Sequence, residues 1–369
     1  MIQIIQDVKP IMFAFNNNIF QFKSNSLLTV SYAEITGLGT TIKLYPINGI
    51  FTLNLKQYLS VICNIDNFID TENFNVNTSL IYSCKTYFEQ QIEIKVFFTN
   101  TTFELLSKNI KYIAGVEQIE NYKQNNLLLY ETAAFIFLPL IKKTNTHYAK
   151  YYRGYPFDIS ILINADFITN IQIYNNTTSQ FFSVATDLKA NRLLFDDGLN
   201  FIPDFDFEFS QGINNCQIND SNFIIDYESE PCEGIYIKWL NNYGGYSYWL
   251  FSNYFQKNND YKSIGELKTD FLNIENTFAR TTQIGKRTNP SLEVIEDDIT
   301  EMQLPLIESL LESPKVFIYN GKKNVTRATA LDWTEIRLNT KKATVRNFKQ
   351  QNVRIGFSFD LPEKYNMYI

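Results

Sequence analysis

Hydrophobic and polar residues alternate with a period of two along much of this chain, which is typical of strands that place one face on a core. The clearest case is residues 90–100, where Ile92, Ile94 and Val96 alternate with polar neighbours. Similar runs rich in Ile, Phe, Tyr and Val recur at a spacing of about ten residues, and Asn-, Gly- and Ser-rich turns separate them. This pattern predicts a mainly β fold with a multi-domain β-sandwich architecture.

The chain has 369 residues, which is too long for one ordinary core. The grouping of the strand-like runs predicts an N-terminal β-sandwich-like domain over residues 1–125 and a middle β domain over 126–232. A C-terminal domain is expected over 233–369. It contains an aromatic hairpin, a helix and terminal strands, and is therefore expected to be an α+β unit.

Two segments have helical periodicity instead. Residues 299–312 place their leucines and isoleucines on one face, which predicts a helix there. Thr300 and Gln303 have the spacing of a capping box at its start. A second, short helix is expected within residues 56–69.

The densest aromatic run, residues 235–255, predicts a β-hairpin. Trp239 and Trp249 flank the pair Gly244 and Gly245, and residues 241–245 tolerate the positive φ that a tight loop requires. Large, stiff aromatic side chains are suited to a core, to a subunit interface or to stacking on sugar rings, so three roles are open. We expect Trp239 and Trp249 to be structural and the two glycines to permit the turn. The candidate interface or ligand surface is Tyr243, Tyr246 and Tyr248.

The charge and hydropathy of the chain narrow the class of function. A net charge of −6 and an isoelectric point near 5.1 count against a protein that wraps nucleic acid. The basic run at residues 337–349 is interpreted as one solvated face. The first ten residues lack the features of a secretory signal, and the longest apolar run, residues 133–141, is too short to cross a bilayer. We therefore expect synthesis in the cytoplasm and no membrane insertion.

Few residues carry recognisable catalytic chemistry. The four cysteines have no metal-binding spacing, and the one histidine, His147, lies in a polar stretch and is expected on the surface. The acidic run at residues 195–209 is either a strand with one wet face or, through Asp196 and Asp204, a cation site or a pair of hydrolytic carboxylates. No phosphate-binding loop is present in the sequence. The sequence therefore predicts no enzyme, no cofactor and no metal site.

Several motifs follow one another over about residues 150–369, among them RGYPFDISI, TTQIGKRT and VRIGFSFDLP. The most specific are the WLNxxGGY hairpin and LLESPKVFIY at residues 310–319. The order of these motifs resembles structural proteins of tailed bacteriophages and prophages of Bacteroides-like or Flavobacterium-like hosts.

The resemblance implies a virion protein of the tail or baseplate, in the tail tip or hub. Such a protein is expected to assemble as a symmetric homo-oligomeric ring and to contact other tail proteins. Two alternatives are a receptor- or carbohydrate-binding tail module and a tail-associated glycan depolymerase.

Overall fold

The structure is a computed structural model. It describes residues 1–64, 68–75, 79–117, 134–141, 144, 146–163, 170–186, 189–195, 207–219, 221–272, 274–323, 327–340 and 353–367.

Two α-helices and two short 3-10 turns interrupt the strands of this described part. The helices are α1, Lys56–Cys63, and α2, Leu304–Leu311. The 3-10 turns are Asp270–Leu272 and Ala330–Asp332.

The strands are numbered in chain order. The first group is β1 Ile2–Gln6, β2 Met12–Phe13, β3 Ile19–Ser24, β4 Val30–Thr36, β5 Ile42–Leu44, β6 Phe51–Asn54, β7 Phe74–Asn75, β8 Ile81–Ser83, β9 Tyr87–Phe98 and β10 Phe103–Ile113. The second group is β11 Ala134–Ile136, β12 Leu140–Ile141, β13 Thr146–Tyr152, β14 Phe157–Ile163, β15 Asn170–Asn175, β16 Gln180–Ala185, β17 Ala190–Phe195, β18 Gly212–Ile218 and β19 Ser221–Glu228. The third group is β20 Ile235–Leu240, β21 Tyr246–Phe251, β22 Tyr254–Lys268, β23 Thr281–Ile299, β24 Val316–Tyr319, β25 Arg327–Ala328, β26 Trp333–Leu338 and β27 Val353–Asp360.

The strands form several sheets, which confirms the mainly β, multi-domain β-sandwich class. The larger ones have the orders β2-β10-β9-β4-β5, β12-β13-β19-β18-β15-β16 and β21-β20-β24-β26-β27-β23-β22. Smaller sheets have the orders β1-β3-β6, β11-β14-β17-β8 and β25-β7. Neighbouring strands are antiparallel except for the pairs β2–β10 and β13–β19.

Two short strands connect the N-terminal region to the others. β8 pairs with β17 in the middle region, and β7 pairs with β25 in the C-terminal region. The predicted boundary at residue 125 lies outside the described residues. The stretch that follows α1 thus reaches both later parts of the chain.

The predicted helices are shorter than their periodic patterns. α2 begins at Leu304 rather than at 299, because Ile299 still pairs with β27 and ends β23. Thr300 and Gln303 do exchange the two hydrogen bonds of a capping box, at 3.0 and 3.4 Å, in the turn before the helix. The short helix within residues 56–69 is confirmed as α1.

Candidate functional site

The aromatic hairpin lies between two cores, and this position determines what its side chains can do. β20 and β21 pair in antiparallel register, with Ile237 opposite Trp249, and all of their residues are buried. One face packs with α2 and the strands beside it. The other face packs against the sheet that contains β14 and β17. The predicted hairpin is confirmed, but neither of its faces meets solvent.

The side of the hairpin that carries Trp239 and Trp249, the tryptophan face, faces the protein interior, as the sequence predicts. Trp239 is fully buried, and its Nε1 donates a hydrogen bond to Ser309 Oγ on α2 at 2.8 Å. Trp249 is buried on the same face and packs edge-on against Tyr152 at a centroid distance of 6.1 Å. The structural role expected for both tryptophans agrees with this packing.

The expectation that the tyrosines form a contact surface is wrong. Tyr243, Tyr246 and Tyr248 are only 8, 7 and 3% exposed. A contact surface requires that this face be exposed, but the middle region covers Tyr246 and Tyr248, and Phe13 of the N-terminal region packs against Tyr243. The phenol of Tyr248 donates to Asp158, so burial leaves its hydroxyl satisfied.

The loop of the hairpin meets both earlier regions of the chain. Asn241 Nδ2 donates to the Phe137 carbonyl at 2.9 Å, and Asn242 accepts a hydrogen bond from the Val116 amide at 2.6 Å. Gly244 has a φ of +80°, which favours glycine. A Cβ on Gly245 would lie 2.4 Å from the Phe137 carbonyl oxygen. The two glycines therefore permit the turn and also a close approach between backbones.

Four buried charges lie beneath the tyrosine face, and we call them the ion cluster: Asp70, Asp158, Arg192 and Lys238. Arg192 binds Asp158 through two nitrogens, Nε at 3.0 Å and Nη2 at 2.9 Å. Its Nη1 donates to Asp70 at 2.8 Å, and Lys238 Nζ donates to the other oxygen of Asp70 at 2.7 Å. The cluster joins the segment after α1 to the middle and C-terminal regions.

Aromatic rings enclose the two cations of the ion cluster. The Arg192 guanidinium lies 4.6 Å from the ring centroids of both Phe74 and Tyr246. Lys238 Nζ lies 4.2 Å from the ring of Trp333. Ring faces attract desolvated cations, so these contacts add to the ion pairs.

The ionisation of the cluster is consistent with a structural role. Burial alone would raise the pKa of Asp70, but the neighbouring charges of Arg192 and Lys238 outweigh it and hold this pKa well below its usual range. Burial lowers the pKa of Lys238, and the charge of Asp70 opposes that change. With two acids and two bases the cluster is neutral, which is how a buried group of charges is tolerated.

An open cleft of about 430 Å³ lies beside the ion cluster. Its walls include Asp70 and Arg192 together with Cys84 and Ser160. Burial raises the pKa of the Cys84 thiol, so the thiol stays protonated near neutral pH and is a poor nucleophile. Arg192 has carboxylate partners on both sides. The cleft therefore lacks an activated group among these residues, and its charged side chains already bind one another.

The structure describes some, but not all, of the other residues that the sequence analysis considered for catalysis or metal binding. His147 is buried rather than on the surface, and its Nδ1 donates to the Leu138 carbonyl at 2.8 Å. Burial lowers its pKa to about 4. Asp196 and Asp204 lie outside the described residues, so the cation site and the paired carboxylates stay predictions. Within the described ranges, no group of three or more His, Cys, Asp or Glu residues is arranged to hold a metal ion.

A long β-ribbon, residues 254–299, projects from the seven-stranded sheet. β22 and β23 pair from Tyr254 opposite Ile295 to Lys268 opposite Thr281. β27 accompanies β23 only at Ser291 and beyond, and one further bridge joins Thr288 to the C-terminal tail. The outer seven residues of β22 thus form a two-stranded arm of roughly 25 Å.

The arm ends in apolar side chains, at residues 269–280, which we call the ribbon tip. Phe271 is 74% and Ile274 is 92% exposed. Other large apolar residues exposed on the tip and arm are Leu272, Phe278, Tyr261, Ile264 and Leu267. Contiguous exposed apolar residues are typical of interaction sites.

Comparisons with known proteins leave the family of this chain open. No family model matches the chain, and no curated protein matches it. Among solved structures, it is similar to fibronectin(III)-like modules of Clostridium thermocellum CbhA, with 7% identity, a TM-score of 0.20, and coverage of 62% of this chain and 94% of that one. It is also similar to a chimeric titin Z1Z2-Z1Z2 tandem, with 7% identity, a TM-score of 0.18, and coverage of 63% and 100%.

None of the helices in the described part of the chain is long and apolar enough to cross a membrane.

The sequence pattern indicated neither the ion cluster nor the ribbon, for two different reasons. Asp158, Arg192 and Lys238 are each a lone charge within an apolar strand run, and such a charge requires a buried partner. That signal identifies the individual residues but cannot pair positions as distant in sequence as Asp70 and Arg192. The ribbon is exposed on both sides of β22, so it carries no apolar alternation.

Proposed function

We propose that this chain is a structural subunit of a phage tail or baseplate, which assembles with copies of itself into a ring or hub. The observation that supports this most strongly is the ribbon with its apolar tip. An isolated two-stranded ribbon is marginally stable in water, and exposed phenylalanine is unfavourable there. An arm of this kind is suited to packing against another subunit.

The body of the protein supports the same function. A virion subunit must transmit load between its neighbours without rearranging. The hairpin loop and the ion cluster tie three regions of the chain together through buried, mutually satisfied contacts. Buried networks of this type hold one arrangement of the elements they join.

The carbohydrate-binding alternative loses the platform that the sequence suggested. Tyr243, Tyr246 and Tyr248 are buried, and so are Trp239 and Trp249. None of these five rings has a free face for a sugar.

The presence of the chain in particles tests the proposal. Particles released from a culture that carries this sequence are purified on a density gradient, and their proteins are quantified by mass spectrometry. We expect several copies of the chain per particle, measured against the major capsid protein. An abundant cytosolic host enzyme serves as the control and should be depleted from the particles. Equal depletion of this chain, with the chain abundant in the cells, would contradict the proposal.

A further inference from the structure

A buried carboxyl group lies where the ribbon enters the body of the protein. Inward and outward side chains alternate along the body end of β23, and the inward positions carry Leu292, Val294 and Glu296. The two apolar residues belong to the core that also contains the tryptophans of the hairpin. Glu296 points to the same side and is only 8% exposed. A carboxyl in such a position requires partners for its oxygens.

The carboxyl of Glu296 is incompletely paired. The indole of Trp249 on β21 faces it and favours its ionised form. Among the described residues, however, neither Glu296 Oε2 nor Trp249 Nε1 makes a hydrogen bond of good geometry, although both atoms are buried. The position therefore holds a neutral carboxyl more easily than a charged one.

The nearby cation, Lys150 on β13, already has a carboxylate partner. Its Nζ binds Asp226 Oδ2 at 3.2 Å. Asp226 also accepts hydrogen bonds from the Tyr148 hydroxyl at 2.8 Å and from Gln303 Nε2 at 3.4 Å. Lys150 acts on Glu296 through its charge. When Glu296 is ionised, one cation thus serves two carboxylates, and the site carries an excess of negative charge.

The other titratable groups that face Glu296 do not neutralise it. Asp297, its neighbour on β23, pairs with Arg354 of β27 at 3.1 Å. Burial holds the pKa of the Tyr148 and Tyr152 phenols well above the ordinary value, so both phenols stay neutral. Burial raises the pKa of Glu296 to about 7, and the opposing effects of its neighbours are smaller.

The backbone around this carboxyl is irregular. We call residues 296–299 the β23 base. β23 pairs with β27 up to Glu296 and again at Ile299, and the register shifts between the two. Asp298, in this interval, has a φ of +60°, which is uncommon outside glycine. An interruption of this kind leaves the β23 base with fewer ladder hydrogen bonds than a regular strand end.

We propose that the β23 base is held against Trp249 and the middle region while Glu296 is protonated, and that ionisation of Glu296 loosens it. A carboxylate is unfavourable in this incompletely paired position and is well solvated in water. Opening of the β23 base gives the carboxylate that solvent. Because β23 continues into the ribbon, the attachment of the ribbon to the body then depends on pH. This proposal does not rest on the function proposed above.

The two pKa values of Glu296 give the size of the effect. The pKa is about 7 in the closed state, and the ordinary value of 4.5 applies once the carboxyl is solvated. The stabilisation by the protonated carboxyl is present in full below pH 4.5 and is lost as the pH rises through 7. This linkage makes opening of the β23 base about 10-fold more favourable at pH 8 than at pH 6.

Hydrogen–deuterium exchange of the full chain at pH 6 and pH 8 tests the proposal, with rates corrected for the intrinsic effect of pH. We expect the protection of residues 294–303 to fall about 10-fold between pH 6 and pH 8. Glu296→Gln is nearly isosteric and cannot ionise, so it should show no such fall. Glu293→Gln is the matched control, because Glu293 is exposed on the same strand, and it should behave as wild type.

Tryptophan fluorescence reports the ionisation itself. Trp249 faces the carboxyl, so the emission should change with a midpoint near pH 7 in wild type and stay constant in Glu296→Gln. Lys150→Met should move the midpoint to higher pH, because the charge of Lys150 favours the ionised carboxylate. A purely structural role of Lys150 would change stability without moving the midpoint.

Three outcomes overturn the proposal. Emission that stays constant in wild type between pH 6 and pH 8 shows that Glu296 does not titrate there. A titration that persists in Glu296→Gln belongs to another group. A titration without any change of protection at residues 294–303 shows that the protein tolerates the carboxylate in place and that the β23 base stays closed.

Discussion

At the scale of single residues, Gly245 is the hairpin position that least tolerates an added side chain. Its constraint is steric, because a Cβ would meet the Phe137 carbonyl oxygen at 2.4 Å and the Phe137 side chain at 2.7 Å. Gly245→Ala should therefore lower the free energy of unfolding by about 3 kcal/mol, the upper part of the range for overpacking. Urea denaturation measures this change.

The matched control is Gly356→Ala in β27. A Cβ there meets its nearest atom at an ordinary 3.6 Å, so the variant should be close to wild type in stability. Equal stability of the two alanine variants would show that the close approach at Gly245 relaxes without cost. A stable Gly245 variant that fails only to assemble would make the loop an interface.

His147 should give the protein a dependence of stability on pH. Its pKa is lowered to about 4 by burial, whereas the ordinary value is 6.5. The contribution of the neutral side chain is present in full above pH 6.5. It is lost as the pH falls toward 4, because the unfolded chain gains a proton that the folded chain does not. The full difference corresponds to about 3 kcal/mol.

His147→Asn isolates this effect, because the asparagine amide can replace the Nδ1 donor to Leu138. The free energy of unfolding of the variant, measured by urea denaturation between pH 4 and 7, should fall less than that of wild type. Glu296 contributes an opposite slope in both proteins, because burial raises its pKa to about 7. Identical profiles for variant and wild type would contradict a buried neutral histidine.

At the scale of elements, the ion cluster is the contact that fixes β20 against β14 and β17. Lys238→Met removes one charge and leaves Asp70 with Arg192 alone. Breaking a buried ion pair in this way costs about 3–5 kcal/mol, which thermal or urea denaturation detects.

An exposed pair provides the control for the ion cluster. Arg287 and Glu363 are both more than half exposed at their side chains, and Arg287→Met should change stability by less than about 1 kcal/mol. The double variant Asp70→Asn with Lys238→Met should lose less stability than the sum of the losses of the two single variants, because both substitutions remove the same contact. Simple additivity would show that the two residues are not coupled.

The sequence predicted those elements whose side chains have one dry and one wet face. Alternation located β9, and helical spacing located α1. It failed for the hairpin tyrosines because a second layer, supplied by distant strands, covers the face that alternation left wet. Alternation also failed for the ribbon, because β22 is exposed on both sides. Helical spacing placed the start of α2 too early, because a strand directly precedes the helix.

At the scale of the whole molecule, a β body with a buried ion cluster carries an arm that ends in apolar side chains. The charges of the cluster bind one another, whereas the arm exposes Phe271 and Ile274. This division is compatible with the proposed subunit, which requires a rigid body and an exposed contact surface.

Electron cryomicroscopy of purified particles is the most direct test of the central claim that this chain is a structural subunit of a phage tail or baseplate. We expect density for several copies of the β body around the tail axis, with each ribbon lying against a neighbouring subunit. Particles whose tail and baseplate density is fully accounted for by other proteins would contradict it.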